Sequence, residues 1–373
     1  MNNRVLRVGI IGANPERGWA LNAHLPALRA MPGFEIAAVA TTRIESARAT
    51  AEKFAIPGAH AGAEALIGDP AVDIVAVCVK VEHHRDCVLA ALRAGKHVFC
   101  EWPLGLDTAG AEEMQQAAEK AGVMARVGLQ GRASPWLEAA RELIAEGAIG
   151  TLKSASLVSS LSNWGPRLPE AEAYRTRRES GATGLTVPGG HTLDSLCHVL
   201  GEFEQVAAVV ATQTPRCEIV GTGEVVDVTA SDQVLVSGRL VGGAVVSVHV
   251  KADMGNPTGV LFEINGTEGD LRLRTAEPVG PAPVGIQRAE LVLEIARGRR
   301  KPFEPVTDVA RFNRVPEAVP AGPPFYTAQL YARLAEAIRT GGRAAPDFTD
   351  AVQRHRLLAA VQLASDSGQV QRL

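Results

Sequence analysis

His191 is the side chain in this sequence best suited to move a proton in a reaction. It follows two glycines in the segment GLTVPGGHTLDSL, and because the unperturbed pKa of histidine lies near neutral pH, its ring can act as a general base. Asp194 comes three residues later, a spacing that puts both side chains on one face of a helix. We therefore predict that Asp194 orients His191. The alternatives are a structural hydrogen bond for the histidine and a helix N-terminal carboxylate for Asp194.

Two other residues are candidates for proton transfer. Tyr174 lies in the predicted loop EAEAYRTRR, and Lys80 ends the apolar run IVAVCVK. Each has a structural alternative, which is packing for the tyrosine and a methylene stem lying along the strand end for the lysine. The five cysteines are odd in number and form no CxxC pair, so we expect neither a disulfide framework nor a metal site.

A glycine-containing turn follows the first apolar run of the chain. The stretch Ile11–Pro26 reads IGANPERGWALNAHLP. Compared with the G-x-G-x-x-G fingerprint, it has Gly12, then Asn14 at the second glycine, and then Gly18 one residue late. The turn joins a strand to a helix N-terminus, whose N–H groups suit a pyrophosphate. We predict a dinucleotide site that includes Trp19, with an ordinary strand-to-helix turn as the alternative.

The end of the second predicted strand bears on the choice of cofactor. NAD-binding folds usually place an aspartate or glutamate there, whereas this chain has Thr41, Thr42 and Arg43 in the run VATTRIES. Hydroxyl and guanidinium groups suit a 2′-phosphate better than a 2′-hydroxyl. We therefore expect NADP in preference to NAD. A solvated loop that caps a helix is the alternative.

Short apolar runs alternate with helical patterns through the first third of the chain, which predicts βαβ units and a parallel sheet. Further on, residues 231–250 predict a hairpin around a Gly-Gly turn, 277–285 predict a loop, and 325–338 and 350–364 predict helices. The alternating runs are, in order, Val5–Ile11, Trp19–Met31, Phe34–Ala40, Ile44–Phe54, Ile74–Val79 and His84–Ala94.

Composition limits the classes of function. The chain has 373 residues, of which 46% are hydrophobic and 21% charged, and a formal net charge of −3. This length allows two domains, and the dispersed basic residues argue against direct nucleic-acid binding. We see neither a signal peptide nor an apolar run long enough to span a membrane, and we expect a cytoplasmic protein.

Three segments resemble the Gfo/Idh/MocA family of NAD(P)-dependent sugar and polyol oxidoreductases: Val72–Leu104, which contains AGKHVFCEWP, Val127–Leu152 and Phe262–Arg274. The resemblance implies an α/β protein with a doubly wound parallel Rossmann sheet in residues 1–126. Residues 127–373 would form a second α/β domain with a large open, mainly antiparallel sheet, which binds substrate and mediates homodimers or homotetramers. Its C-terminal helices would pack back on the first domain.

The resemblance also implies which residues lie near the cofactor, although packing, capping or a domain tie is an alternative for several of them. The family's Glu-Lys-Pro is Glu-Trp-Pro here, and the aspartate of its D-x-G-x-H signature is Val187. The resemblance implies that the lysine of the family's Glu-Lys-Pro helps to move the substrate's proton. Tryptophan does not titrate, so another group must take this role here. Two apolar replacements predict a more apolar pocket than usual, suited to a deoxy-sugar or a partly hydrophobic carbonyl compound. The implied cofactor residues are Lys80, His84, Glu101, Trp102, Pro103 and Gln130.

These departures resemble one subgroup of the family, which includes the fungal galactose-pathway repressor. The shared features are G-x-N-x-x-x-G-W near the start, Glu-Trp, LQGR-x-SP and GGHT-x-D. The first hypothesis is an NADP-dependent oxidoreductase acting on a carbohydrate-like small molecule. The second is a cofactor-binding sensor without turnover. A transient use of bound NAD(H) during glycoside cleavage ranks last, because the sequence offers no clear additional acid or base.

Overall fold

The computed structural model describes residues 4–276 and 285–373, so most of the predicted loop 277–285 lies outside the described residues. The chain divides into two compact units. The first contains Met1–Gln130 and Arg314–Gln353, and the second contains Gly131–Asn313 and Arg354–Leu373. Among the described residues, no helix has the length and apolar character needed to cross a membrane.

A six-stranded sheet forms the centre of the first unit. Its order is β3-β2-β1-β4-β5-β6, and every strand pairing in it is parallel. This is the order of a Rossmann sheet, in which the direction of winding reverses between β1 and β4. The prediction of a doubly wound parallel sheet is confirmed. The strands are β1 Leu6–Ile11, β2 Phe34–Thr41, β3 Gly58–Ala61, β4 Ile74–Val77, β5 His97–Cys100 and β6 Ala125–Val127.

Helices follow these strands as the apolar spacing predicts. The central strand β4 is buried along its whole length, because helices cover both faces of a doubly wound sheet. Helix α8 of this unit lies against α1 and the short π-helix before it. The helices are α1 Leu25–Ala30, α2 Ile44–Phe54, α3 Ala63–Ile67, α4 His84–Arg93, α5 Thr108–Ala121, α8 Pro323–Thr340 and the start of α9 Phe348–Ser367.

A nine-stranded sheet dominates the second unit. Its order is β17-β16-β15-β14-β7-β13-β12-β9-β18, and only the β13–β7 pair is parallel. The large, mainly antiparallel sheet is therefore confirmed. Its strands are β7 Leu152–Ser160, β9 Phe203–Ala211, β12 Gln233–Leu240, β13 Val245–Lys251, β14 Gly259–Gly266, β15 Gly269–Thr275, β16 Leu291–Arg297, β17 Glu304–Pro305 and β18 Gln371–Arg372.

Smaller elements complete the second unit. The predicted hairpin is present as β12 and β13, and Gly243 in its turn has a φ of +90°, which favours glycine. A three-stranded sheet has the order β11-β10-β8. The remaining elements are β8 Arg167–Pro169, β10 Arg216–Val220, β11 Val225–Asp227, α6 Pro135–Ala145, α7 Gly190–Leu200 and the rest of α9.

Buried ion pairs connect separate segments of the second unit. Asp194 on α7 accepts hydrogen bonds from Arg132 at 2.8 to 3.0 Å and from Arg354 at 3.2 Å. Arg354 on α9 also donates to Glu202 at 2.9 Å. Although burial raises the pKa of Asp194, the two guanidinium groups outweigh it, so that the pKa lies below its usual value. The carboxylate therefore stays ionised and joins α7 to α9 and to the segment before α6.

Replacing this carboxylate should destabilise the protein strongly. In Asp194→Asn the shape is kept, but two buried guanidinium groups lose their shared anion, and we expect a loss of about 3–5 kcal/mol in the free energy of unfolding. Urea unfolding followed by circular dichroism measures it. Asp227→Asn is the control, because the Asp227 side chain is 86% exposed and only 3.9 Å from Arg216. Equal midpoints for the two variants would contradict this role of Asp194.

Candidate cofactor and substrate site

The predicted cofactor turn has the backbone that its sequence requires. Gly12 follows β1 with a φ of +93°, and a Cβ there would lie 2.4 Å from the carbonyl oxygen of Cys78. Only glycine fits this conformation and this close approach. Gly18 has a φ of +100° with open space around it. Asn14 replaces the second glycine, and its Oδ1 accepts the N–H groups of Glu16 at 2.9 Å and Arg17 at 3.3 Å.

Two side chains of α2 donate hydrogen bonds to backbone carbonyl groups of this turn. Thr50 donates a hydrogen bond to the carbonyl oxygen of Ala13 at 2.8 Å, and Lys53 donates to that of Pro15 at 2.6 Å. The Asn14 side chain meanwhile forms an Asx turn, which stabilises a reversal of the chain without glycine. The turn is therefore an ordered structure in which the asparagine has a defined part.

A short π-helical segment follows the late glycine. Residues Ala20–His24 form a π-helix that continues directly into α1. A π-turn contains one residue more than an α-turn and often occurs at functional sites. The side chain of His24, the last residue of this π-helix, is fully buried.

His24 belongs to a buried chain of hydrogen bonds that the sequence analysis did not identify. Its Nδ1 lies 2.8 Å from the hydroxyl oxygen of Tyr331, and its Nε2 lies 2.8 Å from Oε1 of Glu101. The other carboxylate oxygen, Oε2, accepts a hydrogen bond from Gln130 at 2.9 Å. Gly128 allows this approach, because a Cβ there would lie 2.4 Å from Oε2. We call these residues, His24, Glu101, Gln130 and Tyr331, the Glu101 network.

Both rings of the network were hard to find from the sequence. His24 resembles any polar residue in an apolar helical pattern, and Tyr331 is 307 residues away from it. Glu101 and Gln130 were predicted to be cofactor residues, and that role stays a prediction. The geometry gives both residues a structural role. Gln130 donates a hydrogen bond to the Glu101 carboxylate, and these contacts fix Glu101, the residue directly before the cis peptide bond between Trp102 and Pro103.

His84 supports the same segment from another side. Its Nδ1 lies 2.9 Å from the carbonyl oxygen of Pro103, and its Nε2 lies 3.0 Å from that of Val79. Burial lowers the pKa of His84, and a neutral ring can donate to only one of these oxygens. Because both ring nitrogens face the backbone, His84 joins the end of β4 to the Trp102–Pro103 segment. Direct contact of His84 with a cofactor stays a prediction.

The other predicted residues of the first unit differ in exposure. Thr41 donates from its hydroxyl to the carbonyl oxygen of Arg43 at 2.7 Å, whereas Thr42 and Arg43 are exposed after β2. Trp102 is 6% exposed. Gly12, Thr41, Lys80, Glu101 and Gln130 all lie at or just beyond the carboxyl ends of parallel strands, and these ends share one edge of the sheet, where dinucleotides bind in such folds.

The predicted proton-transfer residues of the second unit lie in helical segments. His191 is 6% exposed in the first turn of α7, directly after a π-helix at Leu185–Gly189. Tyr174 was predicted in a loop, but it lies in a 3-10 helix, Glu170–Thr176, and is half-buried. Burial raises the pKa of Tyr174, so its hydroxyl stays protonated at neutral pH and can donate a hydrogen bond.

The predicted pairing of Asp194 with His191 is wrong. The Asp194 carboxylate accepts its hydrogen bonds from Arg132 and Arg354. The helical spacing was read correctly, since both residues are on α7, but two guanidinium groups from distant parts of the chain occupy the carboxylate. Among the described residues, no group of three or more histidine, cysteine or acidic side chains could hold a metal ion.

Comparisons with known proteins match both parts of the chain. Residues 6–129 match a family model described as an oxidoreductase family with an NAD-binding Rossmann fold, and residues 135–275 match one described as the C-terminal domain of Gal80p. The galactose/lactose metabolism regulatory protein GAL80 of Saccharomyces cerevisiae is 30% identical over 294 residues, which cover 73% of this chain and 67% of the relative.

Dehydrogenases and reductases are also among the relatives. The 1,5-anhydro-D-fructose reductase of Ensifer adhaerens is 32% identical over 280 residues, which cover 74% of this chain and 78% of the reductase. A solved structure of a levoglucosan dehydrogenase with NADH and levoglucosan superposes with a TM-score of 0.85 at 24% identity, covering 98% of this chain and 99% of that one. At this identity the structural match concerns the fold alone.

From the Glu101 network we predict how a substitution of His24 changes stability and NADPH affinity. In His24→Leu, the buried Tyr331 hydroxyl and Glu101 carboxylate each lose a partner, so we expect the free energy of unfolding to fall by roughly 2 kcal/mol or more. Because His24 ends the π-helix after the turn, the dissociation constant for NADPH should also rise severalfold. Urea unfolding and a fluorescence titration with NADPH measure the two effects.

A histidine in the same unit provides the control for this variant. His60 also contacts a carboxylate, that of Asp69 at 2.9 Å, but its side chain is 25% exposed. His60→Leu should therefore lower stability less and leave the NADPH affinity unchanged. If His24→Leu binds NADPH as tightly as the unaltered protein, the network has no part in shaping the cofactor turn.

Proposed function

Because the chain belongs to the Gfo/Idh/MocA oxidoreductase family, we propose that it is an NAD(P)-dependent oxidoreductase acting on a sugar-like or other polyhydroxy substrate. The observation that carries this proposal is the ordered turn at Gly12, Asn14 and Gly18, which Thr50 and Lys53 hold in place. When bound, the nicotinamide would accept or donate the hydride.

The residues of the first unit fit a dinucleotide. Open space around Gly18 and a helix start at Trp19 suit a pyrophosphate. We propose that Thr41, Thr42 and Arg43 bind a 2′-phosphate, so that NADP is preferred to NAD. The exposed Arg43 guanidinium can form two parallel hydrogen bonds with phosphate oxygens. No carboxylate lies among these three residues to bind the 2′-hydroxyl of NAD instead.

Proton transfer falls to residues other than the family's lysine. Trp102 is buried and does not titrate. We propose that His191 carries the proton and that Tyr174 donates a hydrogen bond to the substrate oxygen, because its raised pKa keeps the hydroxyl protonated. Lys80 is exposed and is the alternative proton carrier. Asp194 is left with a structural role.

The two replaced residues favour a particular class of substrate. Trp102 and Val187 stand where the family has charged side chains, and apolar surface favours substrates with fewer hydroxyl groups. We propose a deoxy-sugar or a partly hydrophobic carbonyl compound and its alcohol. A cofactor-bound structure with Trp102 directed away from the nicotinamide would remove this argument.

A regulatory role is the second candidate function. The similarity to GAL80 extends over 73% of this chain, and the two polar groups replaced by Trp102 and Val187 are those that an enzyme of the family uses with its substrate. A protein of this kind would bind the cofactor without turning over a substrate. The Glu101 network would serve either role, since its His24 ends the π-helix that follows the proposed cofactor turn.

We further propose that the cofactor binds within residues 1–126, that residues 127–373 supply the substrate wall, and that two copies associate through the open face of the large sheet. On that face Val209, Leu235 and Leu261 are 57%, 43% and 39% exposed, and apolar clusters of this kind favour protein contacts. A dimer or tetramer in light scattering supports this, and a monomer contradicts it. Five free cysteines favour a cytoplasmic location.

Turnover tests the enzymatic proposal. The absorbance of reduced nicotinamide is followed with NADPH, NADP, NADH and NAD across keto-sugars, aldoses, deoxy-sugars and polyols. We expect turnover with the NADP pair, and a fall in kcat of about 10²- to 10⁴-fold in His191→Ala with unchanged cofactor affinity. His198→Ala is the control, because His198 lies on the same helix but contacts Glu138 at 3.3 Å. It should retain its activity.

One further variant separates the two candidate functions. Trp102→Lys combined with Val187→Asp restores the family's groups. If the natural chain binds NADPH tightly and is silent while the double variant turns over, the sensor is correct and the enzymatic proposal is wrong. If the natural chain turns over a substrate, the enzymatic proposal is correct, and residues other than the family's lysine carry the proton.

A further inference from the structure

The open face of the large sheet carries a histidine in the middle of an apolar row. The strand register places one residue from each of five neighbouring strands side by side, in the order Val209, Leu235, His249, Val158 and Leu261. Successive side chains of a strand point to opposite faces. Val248 and Val250, on either side of His249 along β13, are 1% and 0% exposed and belong to the core. The five residues, which we call the His249 row, therefore lie on the open face.

His249 has few charged neighbours on this face. The residues beside it on β12 and β7 are uncharged, and they are Gln233, Leu235, Ser237, Ser156, Val158 and Ser160. Lys251, two residues along β13, acts on the pKa of His249, and no acidic side chain of the described residues offsets it. Arg239 and Glu263 are farther away, since Arg239 pairs with Val245 and Glu263 pairs with Ser156.

The charge of the His249 row changes with pH. Burial and the Lys251 ammonium group lower the pKa of His249 from its ordinary value near 6.5, so the ring is mostly neutral at neutral pH. Two neutral imidazole rings can hydrogen-bond to each other, because each has one donor and one acceptor. Two protonated rings have only donors, repel each other, and are costly to remove from water without a carboxylate partner.

The His249 row is also self-complementary. Two apolar residues lie on each side of the histidine, so a two-fold axis through His249 in the plane of contact brings apolar residues against apolar residues, as an isologous dimer requires. The seven strands from β9 to β16, in sheet order, have seven to nine residues each. They form a face of roughly 700 Å², and a standard interface buries about 800 Å² on each partner. A second copy of this chain therefore fits the face in size and in chemistry.

We propose that two copies pack their His249 rows against each other about this axis, and that protonation of His249 separates them. The inference rests on the proposed association through the open face of the large sheet. Because contact removes the ring from water, the pKa of His249 is lower in the dimer than in the single copy. Association is therefore strongest above the single-copy pKa and weakens as the pH falls through it. With one histidine from each copy, the dissociation constant rises by up to about 100-fold per pH unit in this range.

Sedimentation velocity of the full chain, at several concentrations from about pH 8 to about pH 5.5, measures this constant. We expect it to rise by about tenfold or more over this range. His249→Leu should remain dimeric without pH dependence, whereas His249→Lys, which places a permanent charge in the row, should be mainly monomeric throughout. Circular dichroism at each pH verifies that the fold is retained. His83→Leu is the control, because His83 lies in the first unit with a side chain that is 64% exposed, and it should keep the pH dependence.

The outcomes separate this inference from the proposals that precede it. A chain that is monomeric at every pH contradicts the proposed association through the sheet, and this inference with it. If the dimer is indifferent to pH, or if His249→Leu is as sensitive to pH as the unaltered protein, the association stands and the control by His249 is wrong. The samples contain neither cofactor nor substrate, so none of these outcomes bears on the oxidoreductase proposal.

Discussion

One buried carboxylate, that of Glu101, connects separate segments of the first unit through its two oxygens. Glu101 accepts from Gln130 and contacts His24, which in turn contacts Tyr331. These residues come from the segment after β5, the segment after β6, the start of the first helix and α8. Leaving any of these groups without its partner would cost about 1–3 kcal/mol, so the four segments are constrained together. The Gly12–Gly18 turn joins this arrangement through the π-helix that ends at His24.

Local sequence features allowed much of this architecture to be predicted. Apolar runs between helical patterns indicated the parallel sheet, and Gly12 marked a turn whose φ of +93° and close approach to Cys78 exclude a side chain. The same reasoning failed for contacts between distant residues. Helical spacing placed Asp194 beside His191, but it contains no information on Arg354, which is 160 residues away. The Glu101 network was missed for the same reason, since its rings meet across 307 residues.

The two fully buried arginines show how the same side chain can be used in opposite ways. Arg354 is surrounded by Asp194, Glu202 and Cys197, and these neighbours raise its pKa above the ordinary value despite burial. Arg126 has the same degree of burial, but its nearest carboxylates are held by Arg343, and its pKa is lowered. Sequence alone does not separate these cases, because each arginine depends on partners that only the folded chain brings close.

The replaced residues and the retained ones bear on different questions about function. Glu101 and Pro103 remain on either side of Trp102, and Glu101 contacts His24 at the end of the π-helix that follows Gly18, so their retention is compatible with either proposed function. Trp102 and Val187 remove groups that would act on the substrate alone. The discriminating residues are therefore His191 and Tyr174 of the second unit. Burial raises the pKa of Tyr174, so its hydroxyl remains a hydrogen-bond donor, the form that the proposed contact with a substrate oxygen requires.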